Sequence, residues 1–469
     1  MKKQFTTACF CLIAYVLSAQ KFKVDTILYS GPTNNRANLI ILGDGYTSSE
    51  QAKFLTDANS IYGKFFQTLP YTEYKNYFNV FAVEVISTQS GASHPGNSSD
   101  NACGTQPVAT VNNYFGSSFD CGGGSYHRLL CASKNSAITS VLAANTPFYN
   151  QALVIVNTTY YGGAGGQYAV SSMASSASEI AIHEVGHSFP NLADEYWAGS
   201  QYATDSKPNM TSNGNASTVK WKIWNGVNSV GVYPHSGDPN WFKPTTNNCK
   251  MEVLGKAFCP VCYESHIEKV HSLVKPYDSY SPANTTTLSI STTDLQFTVN
   301  GILPIPNTLK IEWLLNGTSV KNNSAAFTLQ AASVTGTNQL QARLLDTTAL
   351  LRIATHFTNH VYLITWNIQK TATGIDINSS TSEITYTLSG NPLNSNSFLK
   401  YDLDDNARVQ LNFIDMSGKV QAIENKFRTK GSYSLSLDPE SYNLASGIYI
   451  LNMMKNGVSV MNEKVVVNK

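Results

Sequence analysis

The chain has 469 residues, with 32 Lys and Arg against 31 Asp and Glu, and a formal charge of +1. A balance this close to neutral leaves no electrostatic case for nucleic acid or an acidic membrane as partner. The length is too great for a single core and predicts about three domains.

Residues 1–19 join Lys2-Lys3, an apolar stretch from Ala8 to Leu17, and Ser18-Ala19 before Gln20. That is the pattern of a secretory signal peptide, too short to span a bilayer as an anchor, and no other stretch is a transmembrane candidate. Removing it takes away Lys2 and Lys3 and moves the formal charge from +1 to −1. Cys9 and Cys11 leave with it. The other six, Cys103, Cys121, Cys131, Cys249, Cys259 and Cys262, predict up to three disulfides in an oxidising compartment.

Asn38 to Leu42 reads as a strand ending in the turn Gly43-Asp44-Gly45-Tyr46. A second apolar strand, Ala152 to Val156, precedes the run Gly162-Gly163-Ala164-Gly165-Gly166. The run lacks the Lys-Ser/Thr of a phosphate loop and predicts only a tight turn or a close approach of backbone to substrate. Next, Ala177 to Ile182 sets apolar residues at helical spacing behind serines suited to capping, and Pro190 stops the helix.

Inside that helix stands His183-Glu184-Val185-Gly186-His187. Residues four apart share a helix face, so both imidazoles reach one Zn2+ while Glu184 stands beside the metal-bound water as general base. Beyond Pro190 the chain turns back. Asp194 is the expected third ligand, with Glu195 as the alternative. Tyr196, Tyr263 and His266 are the candidate donors to a tetrahedral oxyanion, and Met251 is expected to pack beneath the site. Cys259-Pro260-Val261-Cys262 has the spacing of half a zinc ribbon or a redox pair, but without a second such pair, disulfides are the expected use.

The segment HEVGHSFPNLADEY resembles the signature of the IgA-peptidase-type family of secreted zinc metallopeptidases, an HExGH helix followed by L-x-D-E-Y. It departs from the metzincin pattern: Pro190 and Ala193 occupy the glycine and third-ligand positions, and the acid arrives one residue later. Other stretches are similar to that family's landmarks: Ile41 to Thr47 with Glu50 and Phe54, Phe78-Asn79-Val80, Asn113 to Gly116, Tyr161-Gly162-Gly163, and Cys249-Lys250-Met251 followed by Phe258 to Cys262. The resemblance covers about residues 25 to 275. It implies a zinc peptidase acting on protein or glycoprotein, with a mixed α/β zincin-like catalytic domain and Met251 at the family's equivalent of a Met-turn.

Downstream, six segments recur at sandwich spacing: Thr287 to Ser291, Leu295 to Val299, Leu309 to Leu315, Ala326 to Leu329, Gln339 to Leu345 and Val361 to Gln369. Trp313 with the turn Asn316-Gly317 resembles the central strand of an Ig-like module. A last unit, with Asp415 to Lys419, Gly447-Ile448-Tyr449 and the closing Lys464 to Val467, resembles the C-terminal sorting domain of type IX secretion cargo.

The expected fold is multidomain, a mixed α/β zincin-like catalytic domain followed by an Ig-like β-sandwich and a small C-terminal β-sandwich. The boundaries are a signal peptide at 1–19, a catalytic domain at 20–277, the Ig-like sandwich at 278–370, a linker at 371–382 and the sorting domain at 383–469. The expected location is outside the cell or on the outer-membrane surface of a Gram-negative bacterium, reached through the type IX machinery. The rival reading is a catalytically silent surface protein that binds host glycan or glycoprotein. Glu184 favours hydrolysis, because a structural metal site has no use for a general base beside an open position.

Overall fold

The computed structural model describes residues 20–121, 126–371 and 384–468. The expected signal peptide and nearly all of the expected linker lie outside these residues. The chain forms two compact units, divided between Lys370 and Thr371. Many β-sheets and few helices make up the described chain, and the helices all lie in the first unit. No helix among the described residues is long and apolar enough to cross a membrane.

The first unit begins with a six-stranded sheet in the order Val24–Leu28, Phe78–Val83, Ala37–Asp44, Gln151–Val156, Ala169–Ser172, Gly163–Ala164. The four inner strands are parallel and each outer strand pairs antiparallel to its neighbour. The strands Ala37–Asp44, Phe78–Val83 and Gln151–Val156 are buried along their whole length, as expected where helices cover both faces of a parallel sheet. Leu39, Ile41, Val80 and Ile155 point to one face. Helices α1 (Gln51–Phe65), α3 (Ala177–Ser188) and α4 (Pro260–Leu273) contribute to the core on that side through Phe54, Ile61, Ala181, Val185, Val261 and Ile267. Ile40, Leu42, Phe81 and Val154 point to the other, where α2 (Asn135–Asn145) brings Ile138, Val141 and Leu142. The turn after Asp44 is a structural hub: the buried Asp44 carboxylate accepts from the amides of Gly45, Phe115 and Ser117 and from Ser87 Oγ, at 3.0–3.2 Å.

Two facing sheets complete this unit. One joins Tyr277–Ser281, Leu295–Gly301 and Ala326–Leu329, the other Leu288–Ile290, Tyr362–Lys370, Thr337–Asp346, Leu309–Leu315 and Thr318–Asn322. The six expected strands all form. Thr318–Asn322 joins Leu309–Leu315 through Asn316 and Gly317, whose φ angles of 51° and 80° suit a tight hairpin turn. Trp313 and Trp366 stack at 5.7 Å in the sandwich core, beside Phe297.

Polar contacts knit the sandwich to the α/β part. The buried Asp346 carboxylate receives Tyr74 Oη, Thr308 Oγ1 at 2.6 Å and His271 Nε2 at 3.1 Å. Tyr77 Oη donates to the Ile302 carbonyl at 2.7 Å, and Glu264 accepts the amides of Arg352 and Ile353 at 2.6 and 2.9 Å. Ile302 and Leu351 enter the same apolar cluster as α1 and α4.

The second unit, over the described residues 384–468, is a smaller pair of sheets. Three strands (Tyr386–Ser389, Phe398–Leu403, Gly431–Ser436) form one and four (Val420–Arg428, Ala407–Asp415, Gly447–Lys455, Val458–Val467) form the other. Leu399, Val409, Phe413, Leu451 and Val465 lie in the core between them.

Candidate metal centre

Helix α3 carries the pentad and ends at Ser188, with Phe189-Pro190 immediately after. Ser176 at its start makes no side-chain cap, contrary to the expected serine capping; its own amide-proximal turn is closed instead by backbone bonds from Ala177 and Ile180. Past Pro190, Asn191 adopts φ 64° and the Leu192 amide returns to the Gly186 carbonyl at 3.0 Å, so the chain folds back on the helix it has left. That reversal brings Asp194 onto the two histidines.

His183 Nε2 and His187 Nε2 lie 3.1 Å apart, and Asp194 Oδ1 is 3.1 Å from the first and 3.3 Å from the second. The far nitrogens are committed: His183 Nδ1 faces the Lys250 carbonyl at 3.0 Å and His187 Nδ1 the Leu192 carbonyl at 2.9 Å. A carbonyl only accepts, so each Nδ1 carries a proton and each neutral ring turns an Nε2 lone pair inward. Two lone pairs and a carboxylate oxygen at this separation repel unless a cation or proton lies among them. Tetrahedral bonds of about 2.0–2.1 Å put nitrogen and oxygen ligands about 3.3 Å apart, which these three atoms match.

Glu184 is buried beside them. Burial lifts its carboxyl above the ordinary range, against the pull of both imidazoles. Burial acts on His187 in the opposite sense, but Asp194 outweighs it and lifts the imidazole to about 9, so without a metal its Nε2 takes up a proton and the neutral, lone-pair form is the one a bound cation would select. The same histidines hold Asp194 well below the usual carboxylate range in spite of its burial.

Two glycines permit close packing here. A Cβ on Gly186 would lie 2.8 Å from Met251 Sδ, so Met251 packs directly under the helix between its two histidines. A Cβ on Gly165 would meet His187 at 2.9 Å and Glu184 Oε2 at 3.1 Å, which fixes the glycine run as the close-approach segment over the site.

Glu195, the alternative ligand, faces the other way. Its amide donates to the Met251 carbonyl at 2.8 Å, and its fully buried carboxyl receives Thr245 Oγ1 at 2.8 Å and Asn209 Nδ2 at 3.2 Å. Cys259 and Cys262 reach the same carboxyl at 3.8 and 3.2 Å, and Cys249 lies 3.6 Å from Cys262. Among the described residues these three cysteines and Cys103 are unpaired, and Cys121 and Cys131 are bridged. One bridge forms of the up to three expected, and the expected disulfide use of Cys259 and Cys262 is corrected. The reason is local: the thiols gather about a buried carboxyl that burial drives well above its usual range, and they supply part of its polar surroundings.

Of the three oxyanion candidates, Tyr196 stands near Asp194 and Glu184, with the Arg128 guanidinium 5.8 Å from its ring centre. Tyr263 packs edge-on against Trp224 and His266 lies between Tyr71 and Phe258, both in the core. Arg128 and Asn209 escaped sequence reasoning. Asn209 clamps the Asp194 loop through the Ala193 amide and carbonyl at 2.7 and 2.9 Å. Neither sits in a motif, and only the folded chain brings them near.

Residues 26–230 match the family model described as IgA Peptidase M64. No curated protein matches the chain. Solved structures with weak likeness include the fibronectin(III)-like modules of Clostridium thermocellum CbhA, 12% identical, covering 40% of this chain and 90% of that one, with a TM-score of 0.15. Dimeric latent PorU from Porphyromonas gingivalis is 9% identical over 40% of this chain and 19% of its own, with a TM-score of 0.16. Bacteroides uniformis beta-glucuronidase 3 is 10% identical over 49% and 28%, also at 0.16. Scores this low define no common fold. The family match supports a metallopeptidase, which implies a metal and a protein substrate.

Proposed function

We propose that this protein is a secreted zinc metalloendopeptidase, with a zincin-like catalytic region at 20–277 that holds Zn2+ on His183, His187 and Asp194. The observation that carries the reading is the inward convergence of two Nε2 lone pairs and one carboxylate oxygen at 3.1–3.3 Å, each imidazole fixed from behind by a carbonyl. Zinc bound there supplies Lewis acidity toward a water and toward the scissile carbonyl.

The chain's own groups do the rest. Glu184 takes a proton from the attacking water as the oxygen reaches the carbonyl carbon, then delivers it to the amine as the C–N bond breaks. Its burial, which disfavours the charged form, suits a carboxyl that must both accept and return that proton. Arg128 and Tyr196 offer donors to the oxygen that gains charge, and one such donor is worth about 3 kcal/mol. Gly165 brings backbone over Glu184 and His187 where a substrate chain would pass.

Glu184→Gln tests the assignment. The variant should keep its fold and metal while losing proteolysis by roughly 100-fold or more, read on a peptide library by mass spectrometry. Equal cleavage by wild type and variant would remove Glu184 from the mechanism. Absence of cleavage by both would move the reading to the surface-binding alternative.

The signal-like residues 1–19 and the Gly447-Ile448-Tyr449 segment of the C-terminal unit support export through the type IX machinery to the medium or outer-membrane surface. A chain cut after Thr371 should fold and stay in the periplasm. Its normal appearance outside the cell would make residues 383–469 an ordinary module.

A further inference from the structure

Between the strand Phe78–Val83 and helix α2 the chain makes an excursion of about fifty residues with little regular structure. Among the described residues it holds one 3-10 turn, Asn101–Thr105, and the two-residue strands Ser117–Ser118 and Cys131–Ala132. A loop of that length inside a compact unit needs something other than a backbone ladder to hold it. Four side chains from separate points along it, His94, Cys103, Asp120 and His127, are all buried, with ligand-capable atoms within 4.8 Å of one another.

The contacts within the group approach the edge lengths of a coordination shell, with Asp120 reaching His94 and Cys103 through Oδ2 and His127 through Oδ1. His94 Nε2 lies 3.2 Å from Cys103 Sγ and 3.3 Å from Asp120 Oδ2; Cys103 Sγ is 3.7 Å from Asp120 Oδ2, and His127 Nδ1 is 2.9 Å from Asp120 Oδ1. Tetrahedral bonds of about 2.0–2.1 Å to nitrogen or oxygen and about 2.3 Å to sulfur give edges of about 3.3–3.6 Å. The surroundings also fit. His94 Nδ1 faces the Pro107 carbonyl at 3.0 Å, so that nitrogen keeps the proton and Nε2 presents its lone pair. Asp120 Oδ2 accepts the amides of Gly96 and Asn97 at 3.1 and 3.2 Å, and the His127 ring stacks on Phe119 at 5.1 Å.

A nucleophilic Cys-His-Asp relay is excluded by the same geometry. The acid of a relay sits on the imidazole nitrogen away from the thiol, but Asp120 meets His94 on the nitrogen that faces Cys103, and the thiol is buried. One thiol proton cannot satisfy both the His94 lone pair and the Asp120 carboxylate. A dication meets all four groups at once.

We propose that His94, Cys103, Asp120 and His127 form a second, structural zinc site, four-coordinate and closed to solvent. It shares no ligand with the His183 centre. Its place explains a use for it: Asp120 precedes Cys121 of the disulfide and His127 precedes Arg128, so metal and disulfide together hold the loop that sets Arg128 against Tyr196.

The test is made on the mature full chain. Diffraction from wild-type crystals on both sides of the zinc absorption edge should give an anomalous peak among these four side chains, separate from any peak at His183. In parallel, elemental analysis of His183→Ala/His187→Ala protein should lose a further equivalent of zinc when Cys103→Ser or His127→Asn is added. The absence of the anomalous peak from zinc-supplemented crystals overturns the proposal whatever the variants do. Folded variants with undiminished zinc overturn it too. If either variant fails to fold, the diffraction result decides.

Discussion

The two histidine clusters of this molecule are built by opposite means. At His183 and His187 one helical turn places two imidazoles on a common face, and a proline-terminated reversal adds Asp194 within seven residues of the second. At His94, Cys103, Asp120 and His127 no helix or strand relates any two members, and the group exists only because an irregular loop closes on itself. The first arrangement is written in local geometry and leaves one side open for chemistry. The second depends on the whole loop and is sealed.

The sharpest way to break that contrast is at the acid pair. Asp194→Ala should weaken zinc retention by roughly 100-fold or more, beyond the 10–100-fold usual for losing an outer partner, whereas Glu195→Gln should leave the metal in place and lower stability. Dialysis against graded chelator followed by elemental analysis reads both. Retention of both zinc equivalents in Asp194→Ala, with loss of one in Glu195→Gln, would reverse the assignment.

A smaller effect is expected in the loop. Cys121 and Cys131 are ten residues apart, and removing such a cross-link by the double change to Ser should cost about 2–3 kcal/mol. Chemical denaturation checks the stability, and peptide cleavage should fall as Arg128 loses its anchor. Unchanged stability would mean that the loop is held without the bridge.

The smallest effect concerns pH. Burial holds the His266 imidazole down at about 4, and its Nε2 has no partner, so the folded chain keeps it neutral where the unfolded chain, with a value near 6.5, takes up a proton. This contribution is present above pH 6.5 and is lost as pH falls through 4. It should amount to about 1 kcal/mol between pH 7 and 5.5, and His266→Phe should flatten that limb of the urea-midpoint profile. A profile identical to wild type would remove His266 from the acid response.

These contrasts also explain what could be read from the chain. The i, i+4 histidines, the stop at Pro190 and the six sandwich strands follow from short-range periodicity, so they were legible. The fate of Glu195 was not, because its partners Asn209 and Thr245 come from 14 and 50 residues away. Cysteine parity misled for a related reason: an even count does not reveal that Cys249, Cys259 and Cys262 meet a carboxyl. His94 and His127 carry no motif at all, since their spacing has no period and only the loop's closure unites them.

The junction at Asp346 bears on how this protein can be taken apart. A fragment ending before Asp278 would strip Tyr74 and His271 of Asp346, Tyr77 of the Ile302 carbonyl, and Glu264 of two amides. Each stranded buried group costs about 1–3 kcal/mol, comparable in sum with the whole stability of an ordinary domain. The sandwich is therefore no interchangeable bead on a string. A cut near residue 277 would uncover these buried groups, whereas the compact unit that holds His183, Glu184 and His187 runs on to Lys370.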